Sequence, residues 1–133
     1  MAIELRMLGW AMVLGLLQLG LASVMATRQR GAAWNAGPRD GAVAPLQGVA
    51  GRLERAWANY RETFPLFAAA VLAVMFAGAQ DGRSALAVQL YFWARLAYVP
   101  VYAAGIPYLR SAIWAVSMVG VVLLLWSLLA AAG

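Results

Sequence analysis

The chain has 133 residues, 65% of them hydrophobic and only 11% charged, where a soluble domain carries about 25% charged residues; this excludes a water-soluble globular domain and indicates an integral membrane protein of a single bundle. The net charge of +5 would suit a nucleic-acid binder, but the arginines are scattered around apolar runs and form no soluble basic face, so nucleic acid is excluded as a partner. Cys and His are both absent, which removes disulfides, Cys nucleophiles, His bases and the usual zinc and haem ligand sets, and no metal is expected.

The first apolar run covers about 5–27, long enough to cross a hydrocarbon core of about 30 Å. A signal peptide is the rival reading. The run exceeds the usual apolar stretch of about 7–15 residues in such peptides, so an uncleaved helix is expected. Gln18 is its single mid-membrane polar side chain, and a hydrogen bond to a neighbouring helix accounts for it. A loop follows over about 28–51. Gly37-Pro38 and Asp40-Gly41 mark turns within it.

The second helix is expected over about 52–79. Its opening turns, Arg52 to Pro65, mix five charges and an Asn with the run-up to a uniformly apolar segment. At roughly 100° per residue, Arg52, Arg55, Asn59 and Glu62 share an arc about 80° wide. Arg61 and Glu54 point elsewhere. Such a ladder at a membrane helix end is either a snorkelling fringe or a site. Pro65 should kink the helix or free a carbonyl that finds another partner. Gln80-Asp81-Gly82-Arg83 is a tight turn.

The third helix is expected over about 84–104. Tyr91, Arg95, Tyr98 and Tyr102 are spaced to line one face. Arg95 lies mid-span, where an exposed guanidinium costs about 2.5–3.5 kcal/mol on insertion scales. It must face the bundle, and Glu62 is its obvious counter-charge. The fourth helix is expected over about 111–132, with Trp114 and Trp126 as interfacial anchors. Arg28, Arg30, Arg39, Arg52, Arg55 and Arg110 fall on the side of the first and third connections; Arg6 and Arg83 fall on the other. The positive-inside rule puts the long loop in the cytoplasm and both termini outside. The expected fold is therefore all-α and integral to the membrane, an up-down-up-down bundle of four transmembrane helices.

This arrangement lets Arg28, Arg30, Arg52, Arg55, Asn59, Glu62, Arg95, Tyr98, Tyr102, Arg110 and Ser111 gather around one polar cavity open to the cytoplasm. Many guanidinium groups and one carboxylate suit a small ligand with several carboxylates and one amine. Topology signalling is the plainer account of the outer arginines. It explains Asn59, Glu62 and Arg95 less well, since they sit deeper.

The pattern Glu54-Arg55-Ala56-x-x-Asn59-x-x-Glu62-Thr63-x-Pro65, then Ala94-Arg95-x-x-Tyr98-x-x-x-Tyr102, then Arg110-Ser111, resembles the membrane-associated proteins in eicosanoid and glutathione metabolism, the MAPEG family. Arg28-x-Arg30 followed by Ala33-Trp34-Asn35 extends the resemblance, which runs over essentially the whole chain and points to a bacterial-type member in an inner membrane. The resemblance implies a homotrimer of four-helix subunits that binds glutathione between neighbours as co-substrate. It implies that Arg28, Arg55, Asn59, Glu62, Tyr98 and Tyr102 hold glutathione, that Arg95 supports Glu62, and that Arg110 and Ser111 lie at the sulfur. Tyr98 stands where some members have His, and Trp57 and Ala58 stand where some have basic residues.

Three functions compete. The first is a glutathione-dependent transferase or peroxidase acting on a hydrophobic electrophile or lipid hydroperoxide from the bilayer. The second is a non-catalytic scaffold that binds lipid or glutathione. The third, a small transporter or channel subunit, uses Arg95 and Glu62 as a path but leaves the Tyr face unexplained.

Overall fold

The computed structural model describes residues 1–131. It contains five helices and, among the described residues, no strand: α1 (Ile3–Arg30), α2 (Ala32–Ala36), α3 (Gly48–Phe76), α4 (Gly82–Ala103) and α5 (Pro107–Ala130). The four long helices overlap the four expected runs, but α3 lies about three residues earlier than the expected 52–79, ending at Phe76 before the Gly78 turn, and α5 starts at Pro107 and not at 111. Residue 132, the expected end of the last one, lies outside the described residues. α1 runs further at both ends than its apolar core, because Glu4, Thr27, Arg28 and Arg30 all continue the helix.

The expected long loop is partly structured. It holds α2, and its two ends are tied together. The Gln29 side-chain amide donates to the Gln47 carbonyl at 2.7 Å, and Gln47 N–H donates back to Gln29 Oε1 at 3.0 Å. Two tight turns join the remaining helices. After α3, Gly78 N–H bonds Met75 O and Ala79 N–H bonds Val74 O. Gly78 takes φ +63° there, a left-handed conformation that Gly adopts without a Cβ penalty. The turn after α4 repeats the pattern through Gly105 and Ile106. Pro107 then opens α5, where its missing N–H is of no consequence. α3 continues through Pro65 as one helix.

α3 and α4 form the middle of the bundle. α1 packs on both of them and α5 packs on both of them, while the backbones of α1 and α5 stay apart. The core is aliphatic and aromatic. Phe67 stacks on Tyr91 with ring centroids 3.9 Å apart, over Val71, Val74, Val88 and Leu124. The closest approach is between α4 and α5: a Cβ on Gly120 would lie 2.7 Å from the carbonyl oxygen of Ala87. Small residues at such crossings are how membrane helices gain packing contact.

Many large apolar side chains face outward, among them Leu16, Leu17, Leu66, Phe76 and Leu129. Water would penalise an apolar surface of that extent; a lipid bilayer would not. α1 and α5 are each long and apolar enough to cross a membrane. α3 and α4, with 29 and 22 residues, have the length but carry polar side chains within the run. Much of that polarity is turned inward, as Arg95, Thr63 and Ser84 are all buried.

At the end of the bundle holding the α3–α4 turn, the polar groups are paired. Asp81 caps α4: its Oδ1 accepts from Ser84 N–H at 2.9 Å and from the Ser127 hydroxyl at 2.6 Å. The Ser127 hydroxyl first, then the Ser84 N–H, with Arg83 adding a smaller share against desolvation, hold its carboxyl low, at about 2. The Ser84 hydroxyl donates to Glu4 of α1 at 2.5 Å. This chain of bonds links α1, α4 and α5. Arg83 pairs with Asp81 at 3.1 Å and lies over the Trp126 ring at 4.8 Å.

Candidate functional site

The opposite end, where α1 finishes and α3 and α5 begin, is built differently. Arg52, Arg55 and Arg110 converge with Tyr102 and the Gly105–Pro107 turn on a cleft of about 210 Å³. Arg52 is held there by a hydrogen bond from its Nε to the Ala103 carbonyl at 2.8 Å. That bond to the end of α4 makes Arg52 part of the cleft wall. Arg110 lies over the Tyr102 ring at 4.8 Å. None of the three arginines has a carboxylate within ion-pair distance among the described residues.

A stack of aromatic rings and cations leads from the core to this cleft. The Arg95 guanidinium sits between Tyr60 at 5.4 Å and Tyr98 at 4.4 Å. Tyr98 meets Tyr102 edge-on at 5.5 Å, and Tyr102 carries Arg110. The spacing of Tyr91, Arg95, Tyr98 and Tyr102 placed them on one face, and α4 does turn Tyr91, Arg95 and Tyr98 inward, with Tyr102 half-buried at the rim. Tyr60 was missed as part of the stack. It belongs to α3, and its hydroxyl is anchored to Ala11 of α1 at 2.5 Å, a contact between distant segments that no local pattern announces.

Arg95 is fully buried, and its three side-chain nitrogens have no hydrogen-bond partner among the described residues. The expected Glu62–Arg95 pair is not formed. Glu62 is exposed on α3, and the only ion pair among the described residues is Arg83–Asp81. Two tyrosine faces take the place of the carboxylate. A desolvated cation–π contact is worth about 2 kcal/mol, yet it leaves the N–H groups unsatisfied. The Asn59 side-chain oxygen is buried and unpartnered as well. Gln18 is buried as expected, but its amide nitrogen finds no acceptor on a neighbouring helix.

The other expected site residues divide. Ser111 is exposed, and its hydroxyl bonds back to Pro107 O at 3.4 Å, outside the cleft wall. Arg28 is exposed at the end of α1 and belongs to no recess of its own chain with Arg55 or Arg110. Arg30 goes elsewhere, to a separate recess with Arg39 and Arg61. A single chain therefore brings together Arg52, Arg55, Tyr98, Tyr102 and Arg110, with Arg95 behind them, and leaves Arg28, Glu62 and Ser111 at its surface. No group of three or more acidic side chains able to hold a metal exists among the described residues.

An all-helical chain with membrane-length apolar helices, carrying an unneutralised basic cleft at one end, has the build of a membrane-associated protein. The chain belongs to the MAPEG family, whose model matches residues 7–130. Membership fits a glutathione-related transferase or peroxidase role, or one in eicosanoid metabolism. No curated protein matches the chain in sequence.

Proposed function

We propose that the protein is a glutathione-dependent transferase or peroxidase of the membrane, built as four spanning helices and assembled as a homotrimer, with the long loop in the cytoplasm and the termini outside. The observation that carries this reading is the Arg52–Arg55–Arg110 cleft, three cations without a carboxylate, on a chain of this family. Glutathione has two carboxylates and one amine. The carboxylates would answer Arg55 and Arg52, which line the cleft, with Arg95 a buried support behind them, and the amine would answer Asn59 and Glu62. Tyr98 and Tyr102 would pack against the peptide. Arg28 and Glu62, exposed in one chain, make sense in a site completed by a neighbouring subunit.

The chemistry follows from charge. A free thiol ionises near pH 8.5, and an adjacent guanidinium favours the anion. Arg110 would supply that charge. Tyr102, packed on it, would offer a hydroxyl hydrogen bond, with Ser111 the neighbouring alternative. The thiolate sulfur then bonds to an electrophilic carbon and displaces its leaving group. With a lipid hydroperoxide, two glutathione molecules would be oxidised to the disulfide while the peroxide is reduced to alcohol and water. The hydrophobic partner would arrive from the bilayer, and no metal is required.

Calorimetric binding of glutathione and the ultraviolet absorbance of its thiolate test this reading together. Binding with thiolate formation is expected, and Glu62→Gln should weaken binding roughly tenfold, the loss of one charge-assisted hydrogen bond. Binding without thiolate or turnover would leave the second reading, a non-catalytic scaffold. No binding at all would sink the glutathione readings and leave only a scaffold that binds lipid.

A further inference from the structure

The charges that α3 turns outward fall on two flanks. At about 100° per residue, with Arg52 at 0°, Glu54 and Arg61 lie at about 200° and 180°, and Arg55 and Glu62 at about 300° and 280°. All four are exposed. Ala58, Pro65 and Ala69 form the low ridge between the flanks. Each flank holds one acid and one arginine about two turns apart, in opposite order: acid then arginine on the first, arginine then acid on the second. No ion pair reaches any of the four among the described residues. None can form along α3 itself, because the positions three and four away from each hold no opposite charge.

The first flank borders the seam between α1 and α3. Arg61 lies over the Trp57 ring at 5.6 Å. With Glu54 it lines a recess of about 260 Å³ that also holds Arg30 and Arg39, so the recess is positive. Deeper along the same seam, Leu16, Trp57 and Phe64 wall an apolar recess of about 480 Å³, and Arg61 and Trp57 belong to both. The second flank edges the Arg52–Arg55–Arg110 cleft. Arg55 lines that cleft, Glu62 is on the same side of α3, and Leu66 is exposed one turn further along the helix. A snorkelling fringe accounts for exposed arginines at a membrane face. It does not account for Glu54 and Glu62, which anionic headgroups would repel.

We propose that the two flanks meet between copies of the chain, Arg61 of one copy pairing with Glu62 of the next and Glu54 with Arg55 of the next, so that Arg61 is a positioning residue for the glutathione site of its neighbour. The positioning role rests on the glutathione site proposed above; the pairing itself does not. Copies that share one orientation in one membrane keep equal depth. Arg61 and Glu62 are consecutive, about 1.5 Å apart along the axis, and so are Glu54 and Arg55. Both pairs therefore come into register together when copies close into a parallel ring around the Ala58–Pro65–Ala69 ridge. Small residues on that ridge let the helices approach. The same arrangement sets Leu66 of the next copy, one turn deeper than its Glu62, over the apolar recess, so polar meets polar and apolar meets apolar. A carboxylate accepts at both oxygens. Glu62 can take the neighbour's guanidinium on one and the glutathione amine on the other.

The chain has no Cys, so disulfide cross-linking tests the pairing without background. Arg61→Cys and Glu62→Cys chains, differently tagged and produced together in membranes, should form mixed disulfide pairs under mild oxidation in preference to pairs of one variant. In chains carrying both substitutions, the covalent ladder should stop at the size of the closed ring. Either single reversal, Arg61→Glu or Glu62→Arg, should weaken the oligomer, and the two together in one chain should restore it. For the positioning role, Arg61→Gln should raise the dissociation constant for glutathione about fivefold, and Arg61→Lys should recover most of that loss. In a Glu62→Gln background, Arg61→Gln should change nothing further. Mixed cross-links that are absent, or no stronger than those within one variant, overturn the pairing. An Arg61→Gln effect that persists in the Glu62→Gln background, or none in the wild type, overturns the positioning role. Mixed cross-links in a chain that binds no glutathione would uphold the pairing and remove the positioning role along with the glutathione reading.

Discussion

The two ends of the bundle follow opposite rules. Around the α3–α4 turn the buried and capping charges are answered: Arg83 has Asp81, Asp81 has two donors, and Glu4 has Ser84, while Arg6 stands exposed at the surface. At the α1–α3 and α4–α5 end, Arg52, Arg55 and Arg110 line one cleft and Arg30 and Arg61 another, with no ion pair to any of them among the described residues, and behind the first cleft Arg95 is buried with its nitrogens unsatisfied. Buried polar groups in a finished structure are nearly always hydrogen-bonded. The paired end is what structural polarity looks like. The unpaired end carries cations that the fold leaves unanswered, which is why the proposed glutathione site is put there.

Breaking that contrast should have its largest effect on chemistry. Arg110→Ala is expected to lower glutathione conjugation of a general electrophile on the order of 10²-fold, the usual loss when a group that stabilises developing negative charge is removed, with a smaller change in glutathione affinity. Unchanged turnover would take Arg110 out of the mechanism. Midway between the ends, Gly120→Ala forces a Cβ against the Ala87 carbonyl. The two backbones must separate, which should destabilise the bundle by about 1–3 kcal/mol in a thermal melt, with little effect on ligand affinity relative to the folded fraction.

At the paired end the effects should be confined to stability. Ser84→Ala removes the hydroxyl that Glu4 accepts from and one half of the α4 capping box. A loss of about 1–3 kcal/mol is expected from leaving a buried acceptor unmet, with glutathione binding intact. A fall in affinity equal to that of the cleft variants would mean the two ends are coupled. The smallest effect is on pH dependence. The Asp81 carboxyl titrates at about 2 in the fold, below the ordinary value of about 3.9. Its ionised form therefore adds stability that is complete above the ordinary value and is lost as pH falls towards about 2. Melts recorded across that interval should show the loss in the wild type and a flatter profile in Asp81→Asn.

Local pattern made a good part of this legible. A helix buries or exposes side chains by their spacing, so Tyr91, Arg95 and Tyr98 could be assigned to one inward face, and Glu54 and Arg61 to a different side of α3 from Arg55, before any contact was known. The Glu62–Arg95 pair was the natural expectation on the same logic and failed, because opposite charge says nothing about which rotation of α3 meets α4. α3 presents Tyr60 to Arg95 and turns Glu62 out. The second basic recess was invisible in the sequence for a similar reason: it is assembled from Arg30, Arg39 and Arg61, which belong to three separate segments.

What the sequence by itself determined is the solvent, the secondary structure and the family. Apolar runs of membrane length, punctuated by Gly, Pro and Asp at the turns, leave an all-helical chain as the only way to satisfy the backbone in lipid, and the Arg55-Ala56-x-x-Asn59-x-x-Glu62 pattern carries the likeness. What only the tertiary structure decided is which charges meet. Helix rotation and the tethered 31–47 connection send Arg52 into one cleft and Arg30 into another. Those depend on packing between residues dozens of positions apart, which periodicity along a single helix does not encode.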